Sequence, residues 1–365
     1  MIARNTPPKE RKIDKYIEIV TIPIAINSTE DRKNVGIELD EIAIFKILSK
    51  SYEKVIITII ETKKDLENLI SRKPDLVFSG IKYFDFDEEE IWLSDYLREH
   101  DIYYITSNKE ALNSEYDKDR AKEIVQLANI NTPNFFTTQP NEHPKESSLP
   151  ITFPLFLKPI TGEDSRGINS DSIVFNFINY QTKVLDIYDK LQSRTLVENY
   201  LSGKEYSVSI LENESKNTLM ILPVEIIAGK NKNGHRILDY DAKINNLEEV
   251  IAVTDQELHK ELCDVAINSF RALGGKTMGR IDIKTDVDGI LHFIEANFMP
   301  GLGHGYFYRS FMLNENITYE QMILKIADAG LMANTVLKKI PLVDEKILEI
   351  DYFDAKSTLI FQANN

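Results

Sequence analysis

Along the first third of the chain, apolar positions switch between two spacings. Residues 16–26, 55–60, 75–79 and 102–106 are dense in Ile, Val and Tyr and read as strands. Between them, 36–50, 63–72 and 88–99 place apolar residues at helical intervals, with Ile91, Trp92 and Tyr96 clustering in the last. Strand and helix alternating three times predicts a parallel sheet covered by helices. No GxGxxG motif occurs here, so a dinucleotide-binding fold gains no support.

Further on, Ala121, Ile124, Val125 and Ala128 make a helical stripe over 117–130, which Thr132-Pro133 ends. Residues 139–154 hold four prolines and read as a connecting loop. Strands at 155–159, 172–175 and 195–199, with a helix over 180–191, predict a small α+β unit. Strands at 206–211 and 218–227 then lead to a helix at 258–273, a strong hairpin and a helical stretch. The fold class is thus α/β followed by α+β. The expected division is 1–113, an α/β substrate-side domain; 114–199, a central unit; 200–340, a C-terminal unit with the hairpin; and a tail, 341–365.

Composition narrows the function. The 365 residues are 42% hydrophobic and 28% charged, ordinary for a soluble protein. The most apolar runs, 19–26 and 55–60, fall far short of the ~20 residues a membrane span needs. The first twelve residues are polar, so the cytoplasm is the expected location. The single cysteine, Cys263, excludes an internal disulfide and lies in the apolar repeat of helix 258–273, where a packed thiol is expected. A formal charge of −15 speaks against nucleic-acid or anionic-membrane partners. An acidic chain with an anionic ligand must gather its cations locally.

The most informative stretch is 279–301, GRIDIKTDVDGILHFIEANFMPG. Asp288-Gly289 between two β-rich runs signals a two-residue type I′ turn, which pairs Val287 with Ile290. Asp282 then lies opposite Glu295, and Arg280 opposite Asn297. Opposed residues share a face, so these four project to one side, and Ile281, Ile283, Ile294 and Ala296 project to the other, toward a core. Two carboxylates and an amide are hard oxygen ligands suited to Mg²⁺, with Arg280 able to bind phosphate. The plainer alternative is a solvated polar face, but it leaves the Asp–Glu repulsion without a purpose. Gly301, Gly303 and Gly305 follow, in a loop able to bring N–H groups to a developing oxyanion.

These motifs, in this order, resemble the D-alanine–D-alanine ligases of the ATP-grasp superfamily over roughly residues 110–335. The resemblance implies an ATP-grasp fold behind an N-terminal parallel-sheet domain, an acyl-phosphate mechanism, ATP and two Mg²⁺ ions (or Mn²⁺) as cofactors, small amino-acid-like substrates and a possible homodimer. It carries the metal ligands onto Asp282, Glu295 and Asn297, and makes Arg280 the phosphate-facing cation. Tyr116-Asp117-Lys118 matches the family's lysine before the central domain, and Phe156-Leu157-Lys158-Pro159 its strand lysine. Residues 161–167, TGEDSRG, stand where a mobile loop covers the phosphates, which assigns Ser165 and Gly167 to ATP. In 196–205, Glu198 and the Leu201 backbone would read adenine and Glu205 the ribose. Lys243, in DYDAK, would face the phosphates and share the catalytic role with Arg280.

The departures fall elsewhere. Residues 27–34 do not align with the family's glutamate–serine–glycine signature, and 81–87, IKYFDFD, stand where it has an acidic, glycine-rich substrate loop. Asp164-Ser165 replaces paired serines, Ile244 replaces a tyrosine, and Tyr306 a serine that holds the second amino acid's carboxylate. Gly301, His304, Tyr306 and Arg309 are the candidate pocket residues. The expectation is an amide- or dipeptide-forming ligase with an altered amino-acid pocket. An authentic D-alanine–D-alanine ligase, a non-catalytic ATP-binding regulatory module and, more distantly, a carboxylating enzyme remain the alternatives.

Overall fold

The computed structural model describes residues 11–23, 36–86, 89–161, 167–213, 218–230, 234, 236–237 and 248–332. The expectations for residues 27–34, Asp164, Ser165, Lys243, Ile244 and the tail 341–365 lie outside them.

The predicted parallel sheet forms from β1 (Ile13–Thr21), β2 (Tyr52–Ile59), β3 (Leu76–Ser79) and a strand at Tyr103–Tyr104, in the order β2, β1, β3 and that last strand. Its helices are α1 (Glu41–Ser51) and α2 (Lys63–Arg72). Asp40 opens α1 by accepting from the Ala43 amide at 2.9 Å, and Thr62 with Asp65 forms a capping box on α2.

The expected helix over 88–99 is corrected. Glu89–Trp92 is strand β5, paired antiparallel with β4 (Tyr83–Phe86), and only Leu93–Glu99 is helical, α3. Tyr83 lies opposite Trp92 with ring centroids 5.2 Å apart, and Phe84 lies opposite Ile91. These cross-strand pairs override a spacing that three apolar residues also satisfy in a helix. The strand Tyr103–Tyr104 becomes β6.

After the parallel sheet come α4 (Lys109–Asn113), α5 (Lys118–Leu127), β7 (Phe135–Thr138), β8 (Leu155–Pro159), β9 (Ile173–Val174), α6 (Phe177–Leu191) and β10 (Thr195–Asn199). The central sheet is antiparallel, ordered β7-β10-β8-β9. The pleat sends Leu155, Leu157 and Val197 to a small core with Tyr180, Val184 and Ile187 of α6. Phe156, Lys158 and Glu198 therefore point the opposite way.

The C-terminal sheet, ordered β13-β12-β11-β14-β15, comprises β11 (Glu205–Asn213), β12 (Thr218–Ile227), β13 (Glu249–Ala252), β14 (Met278–Thr285) and β15 (Leu291–Asn297). Helix α7 (Gln256–Ala272) precedes the hairpin; α8 (Tyr306–Glu315) and α9 (Tyr319–Met332) follow it. Tyr206, Val208, Ile210, Ile281 and Ile283 are buried in one core with Leu262, Ala266 and Phe270 of α7, each apolar side chain contributing about 1.5–3 kcal/mol. This core continues into the parallel sheet. A Cβ on Gly330 of α9 would stand 3.0 Å from Leu76 and 3.1 Å from Ile105, so α9 lies close on that sheet.

Cys263 is half-buried on α7, and burial pushes its thiol up to about 11. Alkylation by iodoacetamide at pH 8 is expected to be roughly two orders of magnitude slower than for an ordinary thiol of pKa about 8.5. Labelling at the free-thiol rate would contradict the packed reading. No helix among the described residues is long and apolar enough to cross a membrane.

Candidate functional site

Strands β14 and β15 place Asp282 opposite Glu295 and Arg280 opposite Asn297. The predicted route to that register needs correction. Thr285 pairs with Leu291, and the turn spans residues 286–290 rather than two residues, so Val287 does not pair with Ile290. Asp286 explains the wider loop: its carboxylate accepts from the amides of Asp288 and Ile290 at 3.0 and 2.9 Å, and its own amide donates to Ile290 O. The one-residue offset is undone by a bulge at Ile294, since Ile283 pairs with Phe293 while Asp282 pairs with Glu295. The Phe293 backbone there bonds to the Asn131 carbonyl (2.8 Å) and the Thr132 hydroxyl (2.9 Å). Ile294 consequently lines the cleft beside Glu295, and Phe293 takes its expected place in the core.

The hairpin's polar face continues across β11. Ser207, opposite Asp282, donates to its carboxylate at 2.8 Å, and Glu205, opposite Lys284, accepts from that ammonium at 2.8 Å. Arg280 grips Asp282 through two bonds of 3.1 and 3.0 Å, leaving Glu295 as the more open acid.

Facing it is the inner side of the central sheet. Lys158 is buried, 3.2 Å from Glu198 and 3.9 Å from Glu295, so it bridges the two sheets. Burial works against its charge, but Glu198 and Glu295 outweigh it and hold the ammonium above its usual range. Glu198 is paired on its other oxygen with Lys122 of α5, a residue the sequence reading missed. Lys122 is fully buried and donates to Thr132 Oγ1 at 2.8 Å. Its only signal was its place four residues after Lys118, beside Ala121 and Val125, on the buried side of the helix.

Lys158, Glu198, Asp282 and Glu295 line an open cleft of about 740 Å³ between the two sheets, with Phe156, Leu201, Glu205, Ile237, Lys284 and Ile294 among its walls; Arg280 and Asn297 lie outside that lining. Lys284 and Arg236 also line it and were not anticipated. Lys118 is buried at the start of α5, with its ammonium on the carbonyls of Glu115 (3.0 Å) and Ile160 (3.4 Å), just before the 161–167 segment. Gly167 has φ +76, and a Cβ there would meet Pro159 at 2.7 Å. Its carbonyl accepts from buried Lys183 of α6 at 2.9 Å, which anchors the end of that segment.

Gly203 sits where the chain passes from β10 to β11. A Cβ would come within 2.1 Å of Thr285 Oγ1 and 2.6 Å of its carbonyl oxygen. Gly203→Ala is expected to cost about 1–3 kcal/mol, read by denaturant unfolding; an unchanged midpoint would contradict this close approach.

The expected pocket residues divide. Tyr306, at the start of α8, has its ring 5.8 Å from the Arg280 guanidinium carbon. Burial and then the charge of Glu248 push its hydroxyl well above the usual range, so it stays protonated. Arg309 stands 3.5 Å from buried Glu248. His304 instead stacks on Tyr319 (5.1 Å, 12°) and meets Tyr308 edge-on. Gly301 is exposed with open space around its Cα.

The donor set fits a hard divalent cation. Two carboxylates opposed across a ladder, with a carboxamide one step away, supply only oxygen ligands and carry a repulsion that a cation would relieve. Among the described residues no group of three or more His, Cys, Asp or Glu side chains could hold a metal. Any ion held here would therefore draw on the amide of Asn297 and on its nucleotide.

Residues 124–328, more than half of the chain, match the sequence family described as D-ala D-ala ligase C-terminus. The D-alanine–D-alanine ligase of Aquifex aeolicus is 29% identical over 237 residues, covering 64% of this chain and 75% of the relative. The D-alanine–D-alanine ligase A of Bacillus cereus is 26% identical over 303 residues, covering 82% and 94%. Among solved structures, the Bacillus anthracis D-alanine–D-alanine ligase complexed with ATP superposes with a TM-score of 0.63 at 18% identity, covering 88% of this chain and 98% of that one. The VanG D-Ala:D-Ser ligase of Enterococcus faecalis gives 0.62 at 21% identity, covering 86% and 98%. The antiparallel sheets, the parallel sheet before them and the matched family together show that this chain belongs to the D-alanine–D-alanine ligase family of ATP-grasp carboxylate–amine ligases.

Proposed function

We propose that this chain uses ATP to activate the carboxylate of one small amino-acid-like substrate as an acyl phosphate, and joins it to the amine of a second, the pair being other than two D-alanines, in the cytoplasm. The observation that carries the catalytic part is the pairing of Asp282 with Glu295 across one wall of the cleft, 3.9 Å from the buried ammonium of Lys158 on the other.

In this reading the adenine lies along Phe156, Leu201 and Ile294, the ribose hydroxyls reach Glu205 and the phosphates lie at Lys158, and the family resemblance assigns Lys118, Ser165, Gly167 and Lys243 to the phosphates as well. Asp282, Glu295 and Asn297 would hold Mg²⁺, which supplies charge neutralisation on the phosphates. Arg280, with Lys243 by the resemblance, stabilises charge on the γ-phosphoryl group as its bond to ADP breaks and a new bond to the substrate carboxylate forms, and Lys158 bridges the α- and β-phosphates. The amine then attacks the acyl carbon, loses its proton and expels phosphate from a tetrahedral intermediate. Arg280 and backbone amides of the glycine-bearing stretch 301–305 are the donors for its oxyanion. Positioning and electrostatics suffice, and no nucleophilic side chain is required.

Tyr306 supports an altered acceptor. Its ring covers Arg280, and its buried hydroxyl lies by the carboxylate of Glu248, which Arg309 also faces, so this corner combines an aromatic wall with a paired acid where the family has a serine. ADP release across a panel of D- and L-amino acids and amines tests the reading. Best turnover with D-alanine alone would make the chain an authentic D-alanine–D-alanine ligase. ATP binding with no phosphate release for any acceptor would leave a regulatory binding module, and dependence on bicarbonate would indicate carboxylation.

A further inference from the structure

Outside the cleft, one buried ion pair joins all three parts of the molecule. Lys82 follows β3 of the parallel sheet, and its ammonium lies 2.5 Å from Glu115 Oε2, both side chains being buried. Glu115 precedes α5, and its other oxygen, Oε1, accepts from the amides of Phe298 at 2.9 Å and Met299 at 3.4 Å. Those amides belong to the two residues after Asn297. The Met299 amide also donates to Asn297 Oδ1 at 3.0 Å. A single peptide segment is thus held by Glu115 on one side while it holds the carboxamide of Asn297 on the other.

The anchoring side is rigid. The Ile81 carbonyl accepts from Tyr104 Oη at 2.6 Å, the Ile81 amide donates to Ser79 Oγ at 3.1 Å, and Ser79 Oγ donates to the Val20 carbonyl at 2.8 Å. The Lys82 carbonyl accepts from Leu93 N at 2.9 Å. Thr106, just past β6, donates to the Phe298 carbonyl, so the Phe298 peptide is bonded at both its N–H and its C=O by residues from outside the C-terminal sheet.

Buried backbone N–H groups need an acceptor, and here it is a carboxylate neutralised by a lysine from another part of the chain. An ionised carboxylate is the strongest acceptor available for backbone N–H groups, and a lysine is what keeps it ionised in a buried site. We propose that Lys82 and Glu115 are a positioning pair, which fixes the backbone at 298–299 and through it the carboxamide of Asn297. The parallel sheet thereby sets the metal-side edge of the cleft, although it contributes no ligand to it. This inference rests on the metal-binding reading of Asp282, Glu295 and Asn297. Groups that orient ligands in this way, without touching the metal, typically change metal affinity or activity by 10–100-fold when removed.

The test titrates Mn²⁺ into the full chain with ADP, followed by electron paramagnetic resonance. In Lys82→Met/Glu115→Leu the charges are replaced by an apolar pair and the acceptor is lost; the Mn²⁺ dissociation constant is expected to rise by about 10–100-fold. Lys82→Met/Glu115→Gln keeps a carbonyl acceptor for Phe298 and is expected to stay within about threefold of wild type. Wild-type binding by the leucine variant, or equal weakening by both, would overturn the proposal. Glu295→Gln is the control: if it binds Mn²⁺ as the wild type does, the metal reading fails and takes this inference with it. Weak binding by Glu295→Gln beside wild-type binding by the leucine variant removes the positioning role alone. Amide exchange in the wild-type protein needs no variant. The Phe298 and Met299 amides are expected to exchange at least a hundredfold slower than in an unstructured peptide, and peptide-like rates would also overturn it.

Discussion

Glu295→Gln is expected to reduce turnover by two to three orders of magnitude, with the folded state left almost as stable as before. Glu295 is the natural choice of the two acids because its side chain is 31% exposed, whereas Asp282 is held by Arg280 and Ser207. Glutamine keeps the shape and one oxygen ligand but removes the charge that would offset a divalent cation. Lys158 loses one of its neighbours, yet it retains Glu198 at 3.2 Å, so the buried ammonium is not stranded. Steady-state ADP release at saturating ATP, with the Mg²⁺ concentration varied, separates the two contributions. The loss is expected in kcat and in the Mg²⁺ requirement, and circular dichroism should be unchanged. A variant that folds normally and keeps more than a tenth of its turnover would remove the acid from the catalytic machinery.

How much of this was legible in the residues varies along the chain. The hairpin's polar quartet could be read because period-two alternation is local and strong. Its register nevertheless came out right for a partly wrong reason: Asp286 widens the turn by closing it with its side chain, and the bulge at Ile294 returns the missing step. Neither feature has a marker that outranks Asp-Gly. The burial of Lys158 followed from its place in an apolar strand, which is again local information. Lys122 and the Lys82–Glu115 pair did not show, for the opposite reason. In α5, lysines at 118 and 122 look like the solvated side of an amphipathic helix. Only the packing of β10 and of the 298–299 segment supplies the carboxylates and backbone groups that make their burial tolerable. The strand at 89–92 looks helical by itself because Ile91, Trp92 and Tyr96 satisfy helical spacing, and only pairing with Tyr83–Phe86, whose Phe84 and Phe86 alternate with acids, makes it a strand. Local periodicity finds faces; charges that pair across elements need the fold.

Lys122→Met is expected to lower stability by about 3 kcal/mol, the lower end of what breaking a buried ion pair costs. Lys122 has none of its surface exposed, and its ammonium lies among Glu198, the Thr132 hydroxyl and the ring of Phe135, 5.7 Å away. Burial pushes it down to about 8 against the opposing pull of Glu198, so near neutral pH most molecules keep the charge. Methionine fills the same volume but leaves Glu198 with Lys158 as its remaining cation among the described residues. That second cation is what holds the cost to the lower end. The same change releases the Thr132 hydroxyl from its donor, and this hydroxyl supports the Phe293 carbonyl at the bulge that aims Glu295. A stability loss should therefore come with weaker Mn²⁺·ADP binding. At ~2–4 °C per kcal/mol, the melting temperature should fall by about 6–12 °C. Lys122→Met/Glu198→Gln, which removes the under-compensated carboxylate while keeping an oxygen acceptor for the Lys158 ammonium, should recover part of it. A single variant that melts with the wild type would show that Lys122 lies at a hydrated edge of α5, with Glu198 satisfied by Lys158 alone.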